Sequence, residues 1–519
     1  MNFIDKGLAY FNPIKAVERE KARKALEIRE ILNKGYGDHG ASTRKKSFRG
    51  WITSLGGPKT DIYDHRNKLV ERSRDLYMGG AIARGALQTM QTNVIGAGLK
   101  LKSTIDVGIL GTEDVEIEIL ESRIENEFDL WADYKIERTG LLDFYGIQDL
   151  VFLTTLLNGE CLIHLCYFET PDIPYQLKLE VIEPDRIVTP SDKRNDKSVV
   201  EGVQIDKNGR IEGYYILDKH PNDDNTGNDY KYISVYGNDG QLNIIHLALL
   251  ERPNQVRGVP VLSPVMESIK QLDRYTNAEL MSAVISSMLT IFIETDGIEQ
   301  ASLGELSNID ESEKVDQTGS NLELGNGAIV ELNPGEKANS VNPSRPNAQF
   351  DPFMTAILRQ IGSSLGVPYE LLVMHFTSSY SASRAALLEA WKHFRKRREW
   401  LARNFCRVVY EEWLKESIYL KRIEIPRFYE DILIRKAYSK AIWNGPSQGQ
   451  IDPLKEAKAS VVKINNGLST RTKEVAELNG GDFEQNVRII SRENKILEKK
   501  GVVLSGTIED GEENENNES

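Results

Sequence analysis

The sequence predicts an α+β fold in which long helices flank a β-rich segment, and three observations carry that prediction. Between Ser263 and Thr290 the apolar residues Val265, Ile269, Leu272, Leu280, Val284 and Met288 recur at helical spacing. About 27 residues at ~1.5 Å each make a rod of roughly 40 Å. A second long pattern runs from Ser383 to about Leu414, read from Leu387, Trp391, Phe394, Leu401, Phe405, Val408 and Trp413. Residues 160–250 differ from both, because short apolar runs alternate there with turn chemistry such as Asp206-Lys-Asn-Gly209, a hairpin signal.

The remaining elements follow in chain order. Residues 1–50 form an arm with 12 Lys/Arg against six Asp/Glu, and Arg44, Lys45, Lys46 and Arg49 cluster before Trp51. That arm is either a solvated basic segment or one that touches nucleic acid or a neighbouring subunit. Helical spacing from Tyr63 to Asn93 stops at Gly96-Ala-Gly98, and Leu99–Ser103 alternates like a half-buried strand. Helices are expected from about Val115 to Tyr134 and Phe144 to Leu157, and a polar loop from Asp218 to Tyr230. Helical pattern resumes at Phe353, breaks at Gly366-Val-Pro368 and leads into a polar, aromatic loop from Tyr369 to Tyr380. After Pro426 the chain reads all-α, with helices near 429–443, 453–465, 470–478 and 483–499, and Gly467 as a stop.

Charge is unevenly distributed. The 519 residues carry 65 Lys+Arg and 78 Asp+Glu, a net charge of −13, which disfavours a tight, sequence-independent DNA binder. The segment 294–350 holds 11 acidic and three basic residues, and 505–519 holds six acidic and no basic ones. These two stretches account for the whole deficit, so the rest is nearly neutral. The tail is expected to be disordered. Three cysteines cannot form a disulfide framework, and Cys161 and Cys166, five apart in a strand-like run, are expected to be core thiols on opposite strand faces. The longest nearly apolar run, Ala283 to Ile293, is 11 residues, short of the ~20 of a membrane span. With no apolar leader after Met1, a soluble cytoplasmic product is expected.

Enzymatic chemistry finds little support. No Gly-Lys dipeptide occurs, which argues against a Walker A ATPase. The Gly445-Pro-Ser447-Gln-Gly449 match to a nucleophile elbow is expected to follow a helix instead of a strand, so it reads as a loop. Seven scattered histidines make no zinc motif, and no metal or cofactor is expected. A nuclease site built from dispersed carboxylates stays open as an enzymatic alternative.

Several phrases together resemble the lambda-type portal proteins of tailed bacteriophages. They are Arg72-Ser-Arg74-Asp75, Val94-Ile-Gly96-Ala-Gly98, Glu183-Pro184-Asp185-Arg186 and Arg252-Pro-Asn-Gln255-Val-Arg257-Gly258-Val-Pro260. Further along stand Gly366-Val-Pro368-Tyr369-Glu-Leu-Leu372, Tyr380-Ser-Ala-Ser-Arg384-Ala-Ala-Leu387-Leu-Glu389 and Asp452-Pro453-Leu-Lys455-Glu456-Ala457. The chain departs from the family pattern at Gly79-Gly80, His375, Ser379 and Gly480-Gly481-Asp482. The rival readings are a carboxylate-dependent nuclease or other packaging enzyme, and a structural tail or baseplate component.

The resemblance implies a non-enzymatic subunit of a closed homo-oligomeric ring, usually twelve copies, assembled in the host cytoplasm and placed at the portal vertex of the virion capsid. Its implied partners are double-stranded DNA, packaged and ejected through the channel, the terminase large subunit, the major capsid protein or scaffold, and a head-completion adaptor, with no membrane. The implied parts after the arm are a wing at 51–260, stem helices at 261–293 and 351–367, and a clip at 294–350. A tunnel loop at 368–382, a long wing helix at 383–426, an α-helical crown at 427–500 and an acidic tail at 501–519 complete them. DNA contact is expected at His375, Phe376, Thr377, Ser378, Ser379 and Tyr380. Lys392, Arg395, Lys396, Arg397 and Arg398 form a basic helix face, either solvated and ion-paired or in contact with acidic neighbours or nucleic acid.

Overall fold

A computed structural model describes residues 10, 12–32, 41–42, 45–48, 50–53, 55–111, 114–223, 229–287, 291–295, 336–340, 349–376, 380–450 and 452–502. The expected clip lies mostly outside these residues, as do the tail from 503 and Thr377, Ser378 and Ser379 of the loop. The chain divides into two units, 1–61 and 62–519. The first holds α1 (Pro13–Leu32), which opens on a proline and carries Glu20 four residues before Lys24, both favourable to helix.

In the second unit the helical run expected over 63–93 is two helices, α2 (Asp64–Gly79) and α3 (Ala81–Val94). Gly80 breaks them with an extended backbone, and a Cβ there would stand 2.6 Å from the Leu76 carbonyl oxygen. Strand β1 (Lys100–Ser103) follows, then α4 (Asp114–Ala132) and α5 (Phe144–Asn158). The Asp143 carboxylate caps α5 by accepting from the Gly146 N–H at 2.8 Å, and Gly159 ends it with φ +82°.

The β-rich segment is two antiparallel sheets. In one, β2 (Glu160–Tyr167) lies between β3 (Leu177–Ile182) and β8 (Ile244–Ala248). The other is a meander of β4 (Val199–Val200), β5 (Val203–Ile205), β6 (Ile211–Leu217) and β7 (Tyr230–Ser234). The predicted Asp206–Gly209 turn joins β5 to β6, its Asp206 Oδ1 accepting from the Asn208 and Arg210 N–H groups. Cys161 is buried in the core, whereas Cys166 is only half-buried on the opposite face beside His164. The expectation of two core thiols is therefore corrected for Cys166: one face of β2 packs on helices and the other is partly open.

Helix α6 (Met266–Ser287) runs into β9 (Ile291–Thr295), which pairs antiparallel with β10 (Glu336–Ser340). The N-terminal half of α6 buries Met266, Ile269 and Leu272. Beyond it Leu280, Met281 and Val284 are exposed, so the expected packing stripe is covered within this chain only in part. Tyr275 of α6 stacks on Phe350 and meets Phe353 edge-on, both in α7 (Phe350–Leu365). After α8 (Tyr369–Leu372), α9 (Tyr380–Leu401) continues through a π-turn at Ala402–Cys406 into α10 (Arg407–Tyr419), a helical run of roughly 60 Å.

The C-terminal region is not all-α. The helix expected near 429–443 is only α11 (Ile432–Tyr438), and β11 (Ala441–Asn444) pairs antiparallel with β1, Trp443 opposite Leu101. The two-residue alternation that decides this is four residues long: Ile442 faces out and Trp443 is buried. Residues 445–449 thus follow a strand and not the expected helix, but the next helix starts only at Pro453, so the segment is a loop and not an elbow. Trp443 completes an aromatic cluster around Phe128, which meets Phe144, Tyr410 and Trp413 edge-on with centroids 5.0–5.7 Å apart. That cluster ties α4, α5, α10 and β11 into one core. Helices α12 (Pro453–Asn465), α13 (Arg471–Asn479) and α14 (Phe483–Lys500) then fall where periodicity places them, capped by Asp452, Thr470 and Asp482.

Candidate nucleic-acid interface and its structural anchor

The candidate loop grows from the end of α7. Gly366 takes φ +71°, and its Cα is so close to the His393 ring that a Cβ would meet it at 3.0 Å. The Val367 N–H then returns to the Gly362 carbonyl at 2.9 Å, and Pro368 starts α8. Leu372 is buried, Tyr369 packs on the core, and the Arg359 guanidinium lies over the Tyr369 ring. The first part of the expected loop is thus anchored. Exposure begins at Met374, which adopts φ +53°, and continues through His375 and Phe376. Thr377, Ser378 and Ser379 lie outside the described residues, and Tyr380 opens α9.

The basic side of α9 is heterogeneous. Lys392 is exposed and pairs with Glu389 one turn earlier at 2.6 Å, a surface pair of small energetic weight. Arg395 reaches Glu477 of α13 at 3.7 Å, and Arg384 reaches Glu456 of α12 at the same distance. Arg397 is half-buried, and burial lowers its pKa. Arg398 donates to the Asn93, Val94 and Pro446 carbonyls at 2.9, 2.9 and 2.8 Å and lies over the Trp391 ring. Burial and the neighbouring Arg395 lower its pKa to about 10. Of the five, Lys396 is exposed and, among the described residues, has no carboxylate partner.

A second constellation holds the surrounding structure together. Glu160, fully buried at the start of β2, accepts from Arg66 at 2.6 Å, Arg257 at 2.7 Å and the Gly258 N–H at 2.8 Å, with His246 at 3.2 Å. Burial opposes its ionisation, but Arg257 and Arg66 overcome that and hold the carboxyl far below the usual carboxylate range. Arg257 also donates to the Glu201 and Pro184 carbonyls at 2.6 and 3.0 Å. Gly159 and Gly258 pass at backbone contact, since a Cβ on Gly258 would stand 1.9 Å from the Gly159 oxygen. Nearby, Arg74 binds Asp185, Glu183 and the Asn158 side chain.

Sequence reading did not single out Glu160, Arg66 or Arg257 as partners. The available signal was a lone carboxylate inside the apolar run Gly159–Leu165, where only pairing makes a buried charge tolerable. What the arrangement does is lock α2, β2 and the 252–260 segment together.

The architecture is therefore a mixed α+β fold whose segments are locked by a buried ion-pair network. Residues 44–398, more than half of the chain, match the family model described as phage portal protein, lambda family. The chain belongs to that family, whose members are structural components and not enzymes. It is 25% identical to the portal protein of Escherichia phage N15 over 84% of this chain and 86% of that protein. It is 26% identical to portal protein B of Escherichia phage lambda over 80% and 81%, respectively. Among solved structures, a chain in the neck of a native gene transfer agent particle matches with TM-score 0.40 and 12% identity, covering 80% of this chain and 93% of that one.

Proposed function

We propose that this portal protein assembles into a closed ring at one vertex of a capsid, through which double-stranded DNA is packaged and later ejected. The observation that carries the reading is the family match over residues 44–398. Exposed Leu280, Met281 and Val284 on the distal half of α6 support assembly, since a ring neighbour would cover them. In this reading 51–260 with the long α9–α10 run is the wing, α6 and α7 are the stem, 294–350 is the clip and 427–500 is the crown. Because β11 pairs with β1, the crown would begin after Asn444. The ring would dock a terminase large subunit that hydrolyses ATP, sit in the major capsid protein or scaffold shell, and afterwards hold a head-completion adaptor.

His375, Phe376, Thr377, Ser378, Ser379 and Tyr380 are proposed to meet the DNA. His375 and Phe376 are exposed just beyond an anchored turn and offer hydrogen bonding and brief apolar contact without fixed positive charge. A conduit needs such contact, because each lysine or arginine on a phosphate adds salt-dependent grip. Electron microscopy of the purified full chain should give a closed ring with a channel wide enough for duplex DNA. Replacing 375–379 with Gly/Ser should leave that ring intact and impair packaging. Normal packaging by that variant removes the loop from the reading; absence of any ring form removes the assembly.

A further inference from the structure

We propose that the open face of the β2–β3 ribbon is a binding site for one divalent cation of the zinc type, ligated by His164, Cys166 and Glu180. The strand register makes this set. His164 stands directly opposite Glu180, and Cys166, two residues further along β2, points to the same face. The three donor atoms already face one another: His164 Nδ1 lies 3.3 Å from Glu180 Oε2 and 3.3 Å from Cys166 Sγ, and Sγ lies 4.0 Å from Oε2. Tetrahedral zinc with bonds of about 2.0–2.3 Å requires ligand atoms roughly 3.3–3.8 Å apart. All three edges agree within a few tenths of an ångström, so an ion fits with only a small opening or closing of side chains. The residues are half-buried, which keeps a solvent path for the ion and for a water in the fourth position.

The donor set also selects the ion. One thiolate, one imidazole and one carboxylate is a borderline-soft combination that suits zinc or cobalt and not magnesium or calcium. Binding releases the thiol proton and any proton on His164, so the ligands carry two negative charges against the ion's two positive ones. Two cations stand against it: Arg138 donates to Glu180 Oε2 at 2.6 Å, and Arg186 lies 3.6 Å from Oε1. Arg138 is more than half exposed and can swing into solvent, leaving Oε2 to the ion while Arg186 keeps Oε1. Arg138 is then a competitor of the metal, which gives the site a test that mere surface adsorption fails.

The test uses the metal-free full-length chain titrated with Zn²⁺ by calorimetry and with Co²⁺ by absorption. One equivalent should bind, with a thiolate-to-cobalt charge-transfer band in the near ultraviolet and the strong visible bands of a tetrahedral ion. Cys166→Ser and His164→Gln should each weaken Zn²⁺ by about 100-fold or more. Both side chains are only half-buried, so unchanged melting of the metal-free variants establishes that they fold. Arg138→Ala should tighten Zn²⁺ by about 2- to 5-fold, the worth of an exposed ion pair. Stoichiometric binding that survives Cys166→Ser, cobalt spectra without the thiolate band, or no binding by the wild-type chain would each overturn the proposal.

Discussion

Replacing Glu160 by Gln is the sharpest test of how this subunit is held together. The change is isosteric, but it removes the negative charge shared by Arg66 and Arg257, both almost fully buried, and turns an amide NH₂ toward groups that are themselves donors. Breaking one partner of a buried ion pair costs about 3–5 kcal/mol, because the remaining charge is left uncompensated. For a unit of this size, with an unfolding entropy of about 1 kcal/mol/K, that is a fall in Tm on the order of 3–5 °C. Scanning calorimetry at one fixed heating rate measures it, since a chain of this size can unfold irreversibly. The pH dependence adds a second readout. Glu160 has a depressed folded-state pKa, so its contribution is fully present above its unfolded value near 4.3 and is lost as pH falls below that. The penalty of Glu160→Gln should therefore be constant from pH 6 to 8 and shrink toward pH 3. Adding Arg66→Met to the variant should recover part of the loss, since it removes one stranded cation. A Tm within 2 °C of wild type, or no recovery in the double variant, refutes the reasoning.

Arg398→Ala should cost about 2–3 kcal/mol in thermal unfolding, because three carbonyls lose their charged donor, whereas Lys396→Ala should be silent in the same scan. Lys102, nearly buried on β1, binds Glu484 at 2.7 Å and Asp482 at 3.1 Å and lies 3.4 Å from Glu125; Lys102→Met should make α14 cleavable by trypsin at a concentration that leaves wild type intact. Burial pushes Glu125 up to about 7 against the pull of Lys102, so its ionisation weakens the fold as pH rises from about 4.5 through 7. Glu125→Gln should accordingly flatten the fall in Tm between pH 5 and 8, measured by circular dichroism.

Long periodic elements were legible in the sequence because a helix of four or more turns repeats its signal. The boundaries of α5, α12 and α14 fall within a residue or two of where spacing places them. One failure was local, at Gly80, and the other came where the deciding contact is remote. Gly80 splits α2 from α3 through its own backbone, and β11 is a strand because β1, some 340 residues earlier, offers an edge while Phe128 and its neighbours offer Trp443 a pocket. The same holds for the candidate sites. His375 and Phe376 lie in an exposed loop as composition implied, yet no single-chain pattern can say that Arg398 is committed to three carbonyls or that Glu180 returns beside His164 and Cys166. Spacing along the chain does not encode cross-strand register.

The phrases by which the chain resembles its family turn out to be joints. Arg74 of one phrase binds Glu183 and Asp185 of another, Arg257 reaches Pro184, and Gly258 presses on Gly159 and gives its N–H to Glu160, one of that carboxylate's four partners. This is physically reasonable for a protein whose work is mechanical. In the proposed role a reactive group would gain nothing, whereas helices and sheets held in fixed relation would bear the force of passing DNA. Buried charge is costly unless every donor and acceptor is met, so such a joint has essentially one arrangement. Three cations of α9 are met within the subunit as well: Lys392, Arg395 and Arg398 reach Glu389, Glu477 and backbone carbonyls, respectively. Charge spent inside the subunit is unavailable to phosphates, so the DNA contact proposed for His375 and Phe376 would be one of touch without grip.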